Sequence, residues 1–474
     1  MEKGSKPVSF LVLVFFSFVV YCHPTSTDDD TVLVQKHVRL EASKTFRNAS
    51  GALPYPYLVP SGPYNEAWDW DSMFMAVALE NYGARPYAMG TFLNFLHFVN
   101  LSTGELPGCL TPSGPSKTLY HAKPLIIQAA FITARQNGNF TPFLAYAPQM
   151  RALLLYWNNT QRRDAKSGLH TWHDQLETGA DNLVFSECPS QFSPECWSES
   201  QAYTLSSPDV MVWLAREYAA YAQFMKMWGQ AGLEIGGGLY SDISWLKEAE
   251  MSLAYVTRLR DVIHERLWLW IDPPLNTRGL YVAFNVSTGV QSVHRTYQAA
   301  WPVWAGLYVN DSVKNAALTT LLEPDLWTQY GLRSASQEDP RYSECLHTPF
   351  FQTVNVKLAR VFFLTNFLLH SPNPTDNDNI INPYSNWRGP VWINVASIMA
   401  YTLRAMGETA SAGALADTLV HTLAQDIRDT GQWHECYSSA NGTGLAAPGF
   451  LSWDTLGADL QSNVETGLDP FNII

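Results

Sequence analysis

Charge is scarce in this chain. Of its 474 residues only 15% are Asp, Glu, Lys or Arg, against roughly 25% in ordinary soluble domains. Basic residues are the scarcer sign, 30 Lys+Arg to 43 Asp+Glu, which leaves a formal charge of −13. An acidic surplus of that size repels phosphate backbones and argues against nucleic acid as a partner. Cysteine is rare as well, six in all, with no pair at zinc-ribbon spacing. Common catalytic signatures are absent: no Gly-x-Ser-x-Gly elbow, no phosphate loop, no His-Glu-x-x-His. Asp376-Asn-Asp378-Asn offers oxygens but lacks the glycine and closing Glu of an EF-hand loop. Gly442-Thr-Gly444-Leu-Ala-Ala447 runs into Pro448-Gly449, where a dinucleotide-binding helix would have to continue, and reads as a glycine-rich turn. The expectation is a protein without metal or cofactor.

Apolar and aromatic residues fill the gap. Hydrophobic residues make up 46%, including 17 Trp, 22 Tyr and 23 Phe. Such a chain can bury a large core and is not disordered. Flat indoles also suit the apolar face of a sugar ring, although aromatics equally fill cores.

The start of the chain reads as an export signal. Lys3 and Lys6 precede an apolar run from Val8 to Tyr21, and His23-Pro24 opens a polar stretch. A basic n-region with so short an apolar core is a secretory signal, too short to span a bilayer comfortably. Cleavage is expected after Cys22, leaving residues 23–474 as one catalytic domain, secreted or in the secretory lumen and not membrane-bound. A retained amphipathic anchor is the other reading. Sequons at Asn48, Asn100, Asn139, Asn158, Asn285, Asn310 and Asn441 fit the same route. In an oxidising compartment Cys188 and Cys196, in a Pro-containing loop, are expected to pair.

Helical periodicity dominates the rest. Candidate helices are 68–82, 86–101, 122–137, 143–160, 207–229, 241–270, 295–309, 311–322, 349–370, 388–406, 408–429 and 450–461. Twelve helices with few strand signals (Leu280–Asn285 is the clearest) can close as six hairpins in a double ring. The fold class expected is therefore all-α, an (α/α)6 toroid with minor β segments in loops. Asp28–Asp30 reads as a solvated N-terminal tail, and the Asn/Asp/Pro-dense loop 371–386 as a functional connection.

Three clusters carry chemistry. Tyr64 and Trp68-Asp69-Trp70-Asp71 stand at a helix start, with carboxylates to accept from sugar hydroxyls and indoles to stack; a capping role for either Asp is the plainer alternative. His173-Asp-Gln-Leu-Glu177-Thr-Gly-Ala-Asp181 crowds carboxylates around a glycine, which raises the pKa of one of them as a general acid requires. Gln432-Trp-His-Glu435-Cys-Tyr437 holds a carboxylate with no other acid within five positions, the better candidate to stay ionised. Between the last two, Trp387-Arg388 opens a helix, and that Arg suits a carboxylate partner or a substrate oxygen.

These pieces, in this order, resemble glycoside hydrolase family 63, and its mannosylglycerate hydrolase branch most, from about Tyr64 to Trp453. The resemblance implies the double ring, with Asp181 as general acid and Glu435 as general base. It implies a sugar subsite lined by Trp68, Asp69, Trp70, Asp71, Trp387, Arg388 and Trp453, and ligand contacts from Tyr64, Gln128 and Arg216. The sequence departs from the usual pattern at Asn386, at Leu183-Val184 and at Asp454. A carboxylic acid for the leaving oxygen and a carboxylate for water are what inverting hydrolysis needs. The expected activity is hydrolysis of a small α-mannoside or α-glucoside, of the mannosylglycerate or glucosylglycerate type. Alternatives are a trehalase- or α-glucosidase-like hydrolase of a disaccharide or oligosaccharide, an epimerase using His173 and His434, and a secreted sugar-binding module without catalysis.

Overall fold

The computed structural model describes residues 28–173, 176–180, 203–233, 244–339, 342 and 387–473. Its helices are α1 (Asp28–Glu41), α2 (Asp69–Ala78), α3 (Arg85–His97), α4 (Ile126–Gln136), α5 (Ala147–Trp157), α6 (Pro208–Gln230), α7 (Trp245–Leu267), α8 (Trp301–Trp304), α9 (Asp311–Leu321), α10 (Ile393–Ala405), α11 (Thr409–Thr430) and α12 (Leu460–Thr466), with a single turn at Thr141–Leu144. Tighter 3-10 turns at Tyr297–Ala300 and Trp453–Ala458 lead into α8 and α12.

The hydrophobic pattern sorts these helices into two layers. Every residue of α2 is buried, as is α10 from Ile393 to Leu403. A helix apolar on all sides has to lie inside. By contrast α7 buries only Ala249, Ser252, Leu259, Ile263 and Leu267, one stripe of an amphipathic surface helix. The inner segments touch in a closed circle: α2 to α4, α4 to α6, α6 to α8, α8 to α10, α10 to the 453–458 turn, and that turn back to α2. Outside them, α3 packs on α2 and α4, α5 and α7 on α6, α11 on α10, and α1 on α11. The structure is the (α/α)6 double ring.

One consequence positions the site. The outer helices return the chain each time, so all six inner segments run the same way and their N-termini meet at one end. There Trp70 of α2 lies 5.6 Å from Trp387 and from Trp453, and 6.3 Å from Trp213 of α6, ring centre to ring centre. The opposite end is closed by the buried Phe471, which packs on Phe74, Trp304 and Tyr401 at 5.7, 6.1 and 6.2 Å.

Several local expectations are corrected. Asp28–Asp30 is not a solvated tail but the first turn of α1. Asp30 is buried, bonded to Arg428 and to His421 Nδ1 (2.9 Å) across to α11. The acidic run favours a helix N-terminus, and its long-range partners cannot be read locally. Helix 295–309 contracts to the 297–300 turn and α8, ended at Gly306 with φ 67°. Strands Pro107–Thr111 and Gly114–His121 form a hairpin that the helical texture concealed. Leu280–Asn285 divides into Gly279–Tyr281 and Phe284–Asn285. Residues 442–447 turn a short ribbon in which Cys436–Tyr437 pairs with Gly444–Leu445. The leader, the Cys188–Cys196 pairing, helix 349–370 and loop 371–386 lie outside the described residues. No helix of the described chain is long and apolar enough to cross a membrane.

Candidate active site

At the open end α2 begins where an extended Trp68 (φ −96°, ψ 143°) gives way to Asp69. Asp69 is fully buried and both its oxygens are taken. Oδ2 accepts from the Lys123 N–H at 2.7 Å; Oδ1 accepts from the Trp70 N–H at 2.7 Å and from Lys123 Nζ at 3.2 Å. The sequence assigned Asp69 to sugar hydroxyls; the structure makes it the counter-ion of Lys123, a residue that the sequence reading passed over. The available signal was a lone cation just before an apolar helix in a cation-poor chain. Asp71, one residue beyond Trp70, accepts from Ser452 Oγ at 2.7 Å. Burial pushes its carboxyl up to about 7; the Ser452 hydrogen bond opposes this, Asp69 adds to it and Lys123 opposes it.

Glu435 sits on the short ribbon, its N–H donating to Ala446 O at 3.4 Å. Ala446 and Ala447 hold left-handed φ values of 57° and 37°, conformations that cost non-glycine residues of order 1–3 kcal/mol and persist where surroundings fix them. The Trp453 indole donates to the Glu435 carbonyl at 3.0 Å. The Tyr64 hydroxyl donates to Glu435 Oε2 at 3.1 Å. Tyr64 reaches it because its loop is tied down: Leu451 and Ser452 N–H groups donate to Pro60 O at 3.0 and 3.2 Å.

The surroundings of Glu435 correct a second sequence argument. No acid stands near it along the chain, but Asp454 does in space. Asp454 is fully buried and accepts from the Tyr437 hydroxyl at 3.1 Å. Burial holds its carboxyl well above the usual carboxylate range; the Tyr437 bond opposes this, and the charges of Asp426 and Glu435 add to it. A proton kept on Asp454 spares Glu435 a repelling neighbour.

The aromatic residues form a floor more than an open platform. Trp387 stacks on Trp392 at 3.8 Å, and Trp70, Trp387 and Trp453 are each at most 7% exposed. Trp68 is half-buried and has surface to offer. Arg388, also half-buried, is lowered by burial, while the negative charge of Asp339 opposes that shift; Asp339 in turn bonds His294 Nδ1 at 2.5 Å.

The acidic loop behaves differently from its sequence reading. Glu177 is fully buried in a two-point ion pair with Arg162, both contacts 2.6 Å, and also accepts from the His121 and His173 N–H groups. It opposes Arg162 and cannot serve as the bare charge that raises a neighbouring acid. Asp174 and Asp181 lie outside the described residues. Gly179 has φ 79°, and a Cβ there would come within 2.8 Å of Lys123 Cε and 2.9 Å of the Trp70 ring, so only glycine fits.

Gln128 and Arg216 are not brought to the others. Arg216 Nε donates to Gln128 Oε1 at 2.9 Å and Nη2 to Phe471 O at 2.5 Å, with the guanidinium 4.0 Å over Trp304. Gln128 Nε2 donates to Pro124 O and Trp213 O. Gln128 is spent on the wall between α4 and α6, and Arg216 on that wall and the closed end. Tyr64, Trp70, Asp71, Trp387, Glu435 and Trp453 do converge. Among the described residues no three His, Cys, Asp or Glu side chains cluster to hold a metal ion.

Comparison with known proteins agrees with this architecture. Residues 246–453 match the mannosylglycerate hydrolase MGH1-like glycoside hydrolase domain. The chain is glycoside hydrolase family 63-like. The ring superposes on the family 63 mannosylglycerate hydrolase of Thermus thermophilus, determined with Tris and D-glycerate, with a TM-score of 0.59 at 16% identity over 91% of this chain and all of that one. It also superposes on neutral trehalase Nth1 of Saccharomyces cerevisiae, TM-score 0.58 at 15% identity over 88% of this chain and 77% of that one. Among curated proteins, a periplasmic trehalase of Xanthomonas axonopodis pv. citri is 25% identical over 67% of this family 63-like chain. The cytosolic neutral trehalase of Kluyveromyces lactis is 22% identical over 53% of it. The matched regions span 61% and 38% of those two relatives.

Proposed function

We propose that this protein hydrolyses a small α-glucoside or α-mannoside with inversion at the anomeric carbon, in the secretory lumen or outside the cell. The observation that carries the reading is Glu435. It is a carboxylate fixed by Tyr64 on its oxygen and by Trp453 on its backbone, at the end of the ring where the inner helices begin. In the reaction Asp181 gives its proton to the leaving oxygen as the glycosidic bond breaks. Glu435 takes a proton from water, whose oxygen attacks the anomeric carbon from the opposite face.

A neutral aglycone, as in a disaccharide, is the second reading, and Arg388 favours it. The half-buried guanidinium feels the negative charge of Asp339, so a glycerate carboxylate brought to it would meet a repelling neighbour. Purified protein offered trehalose, other α-glucosides, α-mannosides and glycosylglycerates decides between them. NMR of the first-formed sugar should show the β anomer; retention of α would overturn the inverting assignment. Asp181→Asn should spare glycosyl fluorides, which leave without a proton, whereas Glu435→Gln should slow every substrate. Treatment of protein from a glycosylating host with an N-glycosidase should lower its mass; an unchanged mass would count against export.

A further inference from the structure

Lys123 stands at the open end of the ring, just ahead of α4, where the other inner segments place Trp70, Trp213, Trp301, Trp392 and Trp453. Its side chain is 10% exposed. The ammonium carries three N–H donors, and among the described residues Asp69 Oδ1, at 3.2 Å, is the acceptor it reaches. It lies 5.0 Å from the centre of the Trp70 ring, and its Cε abuts Gly179 on the acidic loop. A nine-tenths buried cation with donors to spare is costly until something polar completes its shell. In a cleft floored by indoles, a ring hydroxyl of a sugar is an acceptor of the right kind.

We infer that Lys123 is a substrate-contacting residue, donating a charge-assisted hydrogen bond to one hydroxyl of the bound sugar ring. Asp69 is then a positioning residue: it fixes the ammonium and is itself fully buried. Asp71, two residues further on and accepting from Ser452 Oγ at 2.7 Å, is the candidate for the acceptor side of the same subsite. The polar recognition of the ring thus passes from the Asp69 expected by sequence to Lys123. This inference rests on the glycosidase reading and adds the identity of the donor.

The test uses deoxy substrates. Wild type and Lys123→Met are compared on the α-glycosyl fluoride of glucose and of mannose, and on 2-, 3-, 4- and 6-deoxy forms of whichever is turned over. In wild type, loss of the contacted hydroxyl should lower kcat/KM by about 10- to 100-fold, the scale of a hydrogen bond to a charged group. In Lys123→Met that one penalty should shrink to under about 3-fold, with the other three unchanged and KM raised on the parent sugar. A lysine that merely props Asp69 would leave all four penalties as they were, and that result overturns the inference. If the Met variant does not fold, Lys123→Gln keeps an uncharged donor and should shrink the same single penalty by less; four unchanged penalties there overturn it equally. Wild type that turns over neither fluoride nor any α-glycoside overturns the glycosidase reading, and this inference with it.

Discussion

Tyr64 and Glu435 are 371 positions apart and their side chains meet, phenol to carboxylate, at 3.1 Å. Between them the chain goes once round the ring. The contact depends on Pro60 accepting from Leu451 and Ser452, which staples the first loop of the ring to the last.

Tyr64→Phe removes the hydroxyl and leaves the ring edge packed on Phe450. The expected outcome is a fall in kcat of about 10- to 100-fold, a hydrogen bond to a charged group being worth roughly 1.5–3 kcal/mol. Melting temperature should change little. Steady-state kinetics beside a thermal melt check this; a KM effect without a kcat effect would mean that Tyr64 acts on the substrate and not through Glu435.

Asp71 makes stability depend on pH with a definite sign. Its folded carboxyl is pushed up to about 7 from 3.8, so between those values the folded state holds a proton that the unfolded state has released. Stability from this group is present at low pH and is lost as pH rises toward 7. Asp71→Asn has no such proton to lose. Relative to wild type it should gain stability from pH 4.5 to pH 8, by up to about 3 kcal/mol at roughly 1.4 kcal/mol per unit. Denaturant melts at the two pH values give the comparison; a difference that stays constant would mean that Asp71 is ionised throughout.

The Arg162–Glu177 pair runs the opposite way. Burial would raise Glu177, but the charge and hydrogen bonds of Arg162 hold it below its ordinary value. Its contribution is present above the unfolded value of about 4.5 and is lost as pH falls through the lowered one. Glu177→Gln leaves a buried guanidinium without its counter-charge and should cost about 3–5 kcal/mol at pH 7, a cost that narrows on acidification. Chemical denaturation at pH 7 and pH 4 would register it.

Arg216 should report on the closed end of the ring and not on substrate. Arg216→Met should lower the melting temperature through the lost Phe471 and Trp304 contacts, with KM within about 2-fold of wild type, as for a residue that makes no substrate contact. A tenfold rise in KM at an unchanged melting temperature would return Arg216 to the sugar site.

The gross architecture was legible because it is periodic. Long apolar stretches at helical spacing locate α2, α4, α6, α10 and α11 within a few residues, and twelve such stretches limit the ways to close a core. The candidate Glu435 was legible as well, since it stands among aromatics with no other acid within five positions. The sequence could not say which carboxylates were already spoken for. Asp69 and Glu177 look as available as Asp71 and Glu435 until Lys123 and Arg162 arrive from 54 and 15 positions away to occupy them. Nor could it place Asp454 beside Glu435, or Asp30 beside Arg428. Composition and local periodicity are properties of neighbours along the chain, and they determine which segments must be buried. Charge pairing acts through space. Only closure of the ring brings those groups within a few ångströms, and that closure decides which carboxylates are paired with a buried cation.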